Sequence, residues 1–195
     1  MLYKISERLA DRLLIKGAII PENKDIYVYG LQLFISFLFS SLSIILIGLL
    51  IGKLLVTTTF LIIYILLRSY SGGYHANSYI ACFAITISVY LAVLLFTELL
   101  SVNCIAFIIL LFSGIILLYI FAPIQNIHKR VLAKDRNKYR IISICLFCLF
   151  VVLGMVLSIY NPILGNAVFY TLCADLINML PNCLRRNSIK DKEEE

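Results

Sequence analysis

Residues 31–51 read LQLFISFLFSSLSIILIGLLI, 21 positions without one charge. A helix crosses the hydrocarbon core of a bilayer with about 20 apolar residues, so Leu31–Ile51 is expected to span a membrane. Working outward, runs of the same kind follow at Leu54–Leu67, Tyr79–Thr97, Leu99–Ala122, Ile141–Tyr160 and Ile163–Leu180. The second run is short, at 14 residues. It can recruit Arg68 by snorkelling, thin the local bilayer, or re-enter without crossing. The last run carries Asp175 and is expected to stop at Pro181.

Composition excludes a water-soluble domain. Of 195 residues, 62% are hydrophobic and only 14% charged, with mean hydropathy +0.97. Soluble domains are about half apolar and about a quarter charged. Transmembrane barrels alternate apolar and polar residues along each strand, and these runs are unbroken. The expected fold is therefore all-α: a polytopic membrane protein with six transmembrane helices, the second one short. A chain of this size suits a single membrane-embedded domain: a bundle over 31–180, an N-terminal segment 1–25 and a charged tail 181–195.

The basic residues orient the bundle. With a cytoplasmic N-terminus, segments 1–25, 68–78, 123–140 and 181–195 face inward and hold 16 of the 17 Lys and Arg residues. Only Lys53 falls outside, as the positive-inside rule requires. Both termini are then cytoplasmic. Topology and contact with anionic membrane lipids account for the net charge of +6, and nucleic acid is not needed to explain it. Residues 2–16 read as an amphipathic helix, with Leu2, Ile5, Leu9 and Leu13 separated from Lys4, Glu7, Arg8, Asp11 and Arg12. Such a helix lies in the membrane interface or packs, solvated, on the bundle. Segment 1–25 has no apolar core, so no cleavable signal is expected.

One stretch breaks the apolar background: Arg68-Ser69-Tyr70-Ser71-Gly72-Gly73-Tyr74-His75-Ala76-Asn77-Ser78-Tyr79-Ile80-Ala81-Cys82. Gly72-Gly73 permits backbone conformations closed to other residues. Asn77 or Ser78 can cap the third span, which puts Cys82 in or just after its first turn. A helix N-terminus and a neighbouring imidazolium both favour the nucleophilic thiolate form of a cysteine. His75 precedes Cys82 by seven residues, about 10 Å of rise in a continuous helix. The two meet as base and nucleophile only if the chain before Asn77 is not helical. Otherwise they are a loop histidine and an interfacial cysteine without chemistry.

This stretch resembles the signature of the accessory gene regulator B family: a basic residue, a small Gly-rich turn, His-Ala, and Cys seven residues after the His. Here these are Arg68, Ser71-Gly72-Gly73, His75-Ala76 and Cys82. The N-terminus, the six runs, the basic loop after Ala122-Pro123 and the tail follow the family more loosely. Where the family often has a second basic residue before the turn, this chain has Ser69, which bears on substrate contacts. The resemblance implies a cysteine endopeptidase of the bacterial cell membrane that acts on a small, AgrD-like precursor peptide. Cys82 would release the C-terminal tail through a thioester, and cyclisation would give a thiolactone or lactone quorum-sensing peptide. Catalytic roles fall to His75 and Cys82. Orienting or substrate-binding roles fall to Asp175, Arg68, Ser71, Gly72, Gly73, Asn77 and Ser78. An acidic residue in the last span is also part of the resemblance, and intramembrane carboxylates are costly enough to be functional or paired. Asp175 would orient His75, or partner Arg68 or a polar group on a neighbouring helix.

The remaining features divide between plain and functional readings. Lys129, Arg130, Lys134 and Arg136, in the basic loop, set topology, touch lipid, or bind an acidic part of the precursor. Cys104, Cys145, Cys148 and Cys173 lie in apolar runs, where free cysteine behaves as a small hydrophobe. Cys145 and Cys148 form a CxxC without further ligands, and neither a metal nor a cofactor is expected. Gly48 and Gly52 make a GxxxG pair that allows close helix contact. With the resemblance, this gives the expectation of a homodimer. The alternative to an enzyme is a small peptide transporter or exporter, or a membrane sensor module, and neither needs His75 or Cys82.

Overall fold

The computed structural model describes residues 2–15, 17, 20–72, 79–123 and 133–190, with the side chains of Leu2, Tyr79, 133–135 and 180–190 left out. Among the described residues the fold is all-helical: α1 (Leu2–Ile15), a 3-10 turn (Pro21–Asn23), α2 (Lys24–Leu50), α3 (Leu54–Ser71), α4 (Tyr79–Leu99), α5 (Cys104–Phe121), α6 (Ala133–Tyr160) and α7 (Pro162–Lys190). Five of these, α2 to α6, contain stretches long and apolar enough to cross a membrane. The chain is a multi-pass membrane protein. The sixth expected span corresponds to α7, which is long enough at 29 residues but carries Asn166, Asp175 and Asn178.

The burial pattern accounts for that polarity. One core cluster joins Leu67 of α3 and Phe107 and Leu118 of α5 with Phe147 and Val151 of α6 and Val168 and Leu172 of α7. A second joins Ile44 of α2 and Phe60, Leu61 and Tyr64 of α3 with Tyr90 and Val93 of α4, and reaches Tyr170 and Ala174 of α7. Helices α3 and α7 enter both clusters and are the central pair. Their polar side chains Thr57, Ser71, Asn166, Thr171 and Asp175 are buried among protein rather than facing lipid, where unpaired polar groups are expensive. The outer helices show the reverse. On α2, Phe34, Phe37, Phe39, Leu42, Leu46, Leu49 and Leu50 are exposed, as a lipid-facing surface requires.

Two expectations are corrected. The second span does not end at Leu67. Helix α3 runs unbroken through Arg68 to Ser71, 18 residues in all, or about 27 Å, as long as α5 and shorter than α2, α4, α6 and α7. It stops where Gly72 takes φ +77, a conformation that glycine adopts at no steric cost. Pro181 does not end the last helix, which continues to Lys190. A proline inside a helix removes one backbone hydrogen bond, here to the carbonyl of Ile177. The close helix contact expected of the Gly48/Gly52 pair is made at Gly48. A Cβ on Gly48 would lie 2.0 Å from Thr57 Oγ1, so this glycine admits α3 against α2. Gly52, at φ +73, forms the turn between them.

The end of the bundle opposite Cys82 is closed by polar contacts. Lys53 Nζ, where α3 begins, lies 2.8 Å from Glu98 Oε1, where α4 ends. Asn166 of α7 donates to the carbonyls of Thr97 and Leu100 and accepts from Val102 N–H, which satisfies backbone groups that the α4–α5 connection leaves free. Asn103 caps α5 by accepting from Ala106 N–H at 3.0 Å, and Asn161-Pro162 starts α7, with Pro at the first helical position where its missing N–H is not needed.

Helix α1 packs on α2 with its small side chains. Ser6 and Ala10, four residues apart, are fully buried, and Lys24 holds Asp11 at 2.7 Å. Tyr3, Ile5, Leu9 and Ile15 remain exposed.

Candidate active site

The site grows from two facing stripes. On α3, Tyr64, Arg68 and Ser71 recur at spacings of four and three, and on α7 Thr171, Asp175 and Asn178 do the same. Residues so spaced share one helix face. The stripes meet: Asn178 Nδ2 donates to Tyr64 Oη at 3.4 Å, and the Asp175 carboxylate hydrogen-bonds Ser71 and lies in the field of Arg68. Arg68 Nη1 donates to Tyr64 Oη, and its guanidinium carbon sits 5.3 Å from the centroid of the Tyr64 ring, within cation–π range.

Cys82 is the fourth residue of α4, in the first turn as expected. It is half-buried, and its carbonyl accepts from Thr86 Oγ1 at 2.9 Å. Thr57 Oγ1 and Tyr90 Oη lie 2.7 Å apart across the antiparallel α3 and α4, so Cys82, about two turns before Tyr90, stands at the level of Tyr64, two turns after Thr57. The candidate nucleophile, a guanidinium, a carboxylate and a phenol thus gather at one end of the bundle. Asp175 is 2% exposed, and its Oδ2 has no hydrogen-bond partner among the described residues. A buried carboxylate oxygen left without a donor costs several kcal/mol, so a further donor is called for here.

Of the other expected site residues, Gly72 caps α3. His75, Gly73, Asn77, Ser78, Lys129 and Arg130 lie outside the described residues. Lys134 and Arg136 stand on the first turn of α6 rather than in a loop. Arg136 is half-buried. Its neighbour one turn on, Arg140, donates to the carbonyl of Ala122 at 3.0 Å and stacks over the Tyr119 ring. Tyr139 lies 6.1 Å from Tyr70, centroid to centroid, so this basic turn adjoins the end of α3 that bears Arg68. Sequence reasoning missed Tyr64 and Asn178. The signal was available in their spacing from Arg68 and Asp175.

The family sequence model described as accessory gene regulator B matches residues 3–179 of the chain. The chain belongs to the accessory gene regulator B family. A protein of Halalkalibacterium halodurans named as AgrB-like is 28% identical over 170 residues, covering 85% of this chain and 83% of its own length. A second protein named as AgrB-like, from Clostridium perfringens, is 28% identical over 188 residues, covering 87% of each. No solved structure matches the chain. Family membership ties the chain to peptide processing in the accessory gene regulator system.

Proposed function

We propose that this protein is a membrane-embedded cysteine endopeptidase that removes the C-terminal tail of a small AgrD-like precursor and promotes its cyclisation. The observation that carries the reading is that Cys82 and the buried Asp175, whose Oδ2 has no donor among the described residues, stand near the level of Tyr64, at the end of the bundle where the chain passes from Gly72 to Tyr79. His75 is three residues from Gly72, so chain length alone keeps their α-carbons within about 11 Å. An imidazole N–H given to Asp175 would satisfy the carboxylate and orient the ring, leaving the other nitrogen to take the proton of Cys82.

The reaction follows from these roles. Cys82 attacks a precursor carbonyl and forms a C–S bond. The tetrahedral adduct collapses with loss of the C–N bond, and His75 returns the proton to the departing amine of the tail. The peptide remains as a thioester. An internal thiol or hydroxyl then attacks that thioester and releases a thiolactone or lactone ring with regeneration of Cys82. Exchange between thioesters keeps acyl-transfer energy, provided water is held off the intermediate, and the apolar surroundings of α3, α4 and α7 favour that.

In the accompanying topology α7 is the sixth span, both termini face the cytoplasm, and the exposed apolar face of α1 beside Lys4, Arg8 and Arg12 rests in the anionic interface. Co-expression with the nearest small open reading frame, followed by mass spectrometry of the released tail, tests the reading. Release should be lost in Cys82→Ala and His75→Ala. Release that persists in Cys82→Ala would sink it.

A further inference from the structure

We propose that the Tyr64 hydroxyl is the hydrogen-bond donor that stabilises the oxyanion formed when Cys82 attacks a carbonyl. The inference rests on the peptidase reading above and adds a group to it. A phenol oxygen has two acceptor positions and one proton. At Tyr64 the acceptor positions are taken, by Arg68 Nη1 and by Asn178 Nδ2. Among the described residues the phenol proton has no acceptor. Tyr64 is nonetheless 4% exposed, and buried hydroxyls seldom leave a proton unused.

The surroundings prepare that proton for a developing negative charge. Arg68 both hydrogen-bonds the oxygen and covers the ring, and a donor to the phenol oxygen strengthens its O–H as a donor in turn. Phe60 stacks on the ring, 5.1 Å between centroids, and restrains it. The bond between Thr57 and Tyr90 ties the antiparallel α3 and α4 together, so two turns further along each helix Tyr64 and Cys82 stand at the same level, and an oxygen on the carbon that Cys82 attacks falls in the neighbourhood of that hydroxyl. When the C–S bond forms, the carbonyl π pair moves to that oxygen and the phenol O–H binds it. When the C–N bond breaks, the pair returns and the hydrogen bond weakens. Tyr64 keeps its proton throughout. Preorganised donors of this kind contribute about 10²–10³-fold in rate.

The test separates attack on a carbonyl from simple thiol reactivity. The purified full chain in detergent is treated with p-nitrophenyl acetate, which acetylates through an oxyanion. A parallel sample receives iodoacetamide, which alkylates without one. Mass spectrometry compares the Cys82 peptide with those of Cys104, Cys145, Cys148 and Cys173. Tyr64→Phe should slow acetylation of Cys82 by roughly 10²-fold and leave its alkylation within about twofold of the parent. Tyr64→Gln, which restores an N–H donor, should recover about tenfold over Tyr64→Leu. Unchanged acetylation in Tyr64→Phe overturns the proposal. So does an equal fall in acetylation and alkylation unrelieved in Tyr64→Gln, which would mean that Tyr64 acts on the thiol or the fold. If Cys82 of the parent reacts no faster than the other cysteines, the nucleophile assignment itself fails, a result distinct from the failure of Tyr64 alone.

Discussion

The side-chain amide of Asn178 on α7 donates to the hydroxyl of Tyr64 on α3, joining the two central helices one turn from Asp175. That contact holds α7 against α3 near Asp175, whose carboxylate is buried. If Asp175 orients His75, Asp175→Asn keeps the shape and removes the charge. Precursor cleavage should then fall by about 10²–10⁴-fold, while the amount of protein in the membrane, measured by immunoblot, stays at the parental level. Unchanged cleavage would return Asp175 to a purely structural pairing with Arg68 and Ser71.

The contact of Gly48 with Thr57 makes a prediction about stability. Gly48→Ala drives a methyl into the Thr57 hydroxyl, which itself bonds Tyr90 Oη at 2.7 Å. Overpacking of this kind costs about 1–3 kcal/mol, so the thermal midpoint in detergent should drop. Gly30→Ala, with nothing within 4 Å of the new Cβ, is the matched control and should leave the midpoint alone. A Gly48→Ala chain that keeps its midpoint but changes oligomeric state would return the GxxxG pair to an interface between copies.

Charge in the basic segment that leads into α6 should affect substrate before chemistry. Replacing Lys129, Arg130 and Lys134 with Gln is expected to raise the apparent KM for the precursor several-fold with little change in kcat, because rim charges act on encounter more than on the reacting atoms. Steady-state cleavage kinetics in proteoliposomes would show it. An effect confined to membrane insertion would leave topology as the whole explanation of these charges.

The arrangement of spans is open to labelling. Single cysteines at Gly52 and Ser101, on a cysteine-free background, should react with a membrane-impermeant maleimide in intact cells, and one at Arg185 only after lysis. Labelling of Arg185→Cys in intact cells would contradict α7 as a sixth, inward-returning span.

Much of this fold was legible in the sequence because lipid imposes a simple rule: long uncharged runs must be helices. The run at Leu31–Ile51 and the start of α4 just before Cys82 follow from hydropathy. Hydropathy was a poorer guide where a helix is surrounded by protein. Arg68 looked like a terminus because it is charged, yet α3 carries it inside the helix, where Tyr64 partners it. Pro181 looked like a stop, yet α7 continues past it. The same limit hid Tyr64 and Asn178. A tyrosine in an apolar run resembles an interfacial anchor until the facing helix is known, and the α3–α7 pairing rests on contacts between residues more than a hundred positions apart.

The central claim is a covalent one, and the thioester at Cys82 tests it most directly. The full chain would be incubated with its precursor, quenched in acid and read as intact protein by mass spectrometry, with and without hydroxylamine. The account predicts a mass increase equal to the precursor without its C-terminal tail, located on Cys82, removed by hydroxylamine and absent in Cys82→Ala. A released tail with no adduct on Cys82, or an adduct that survives hydroxylamine, would contradict it.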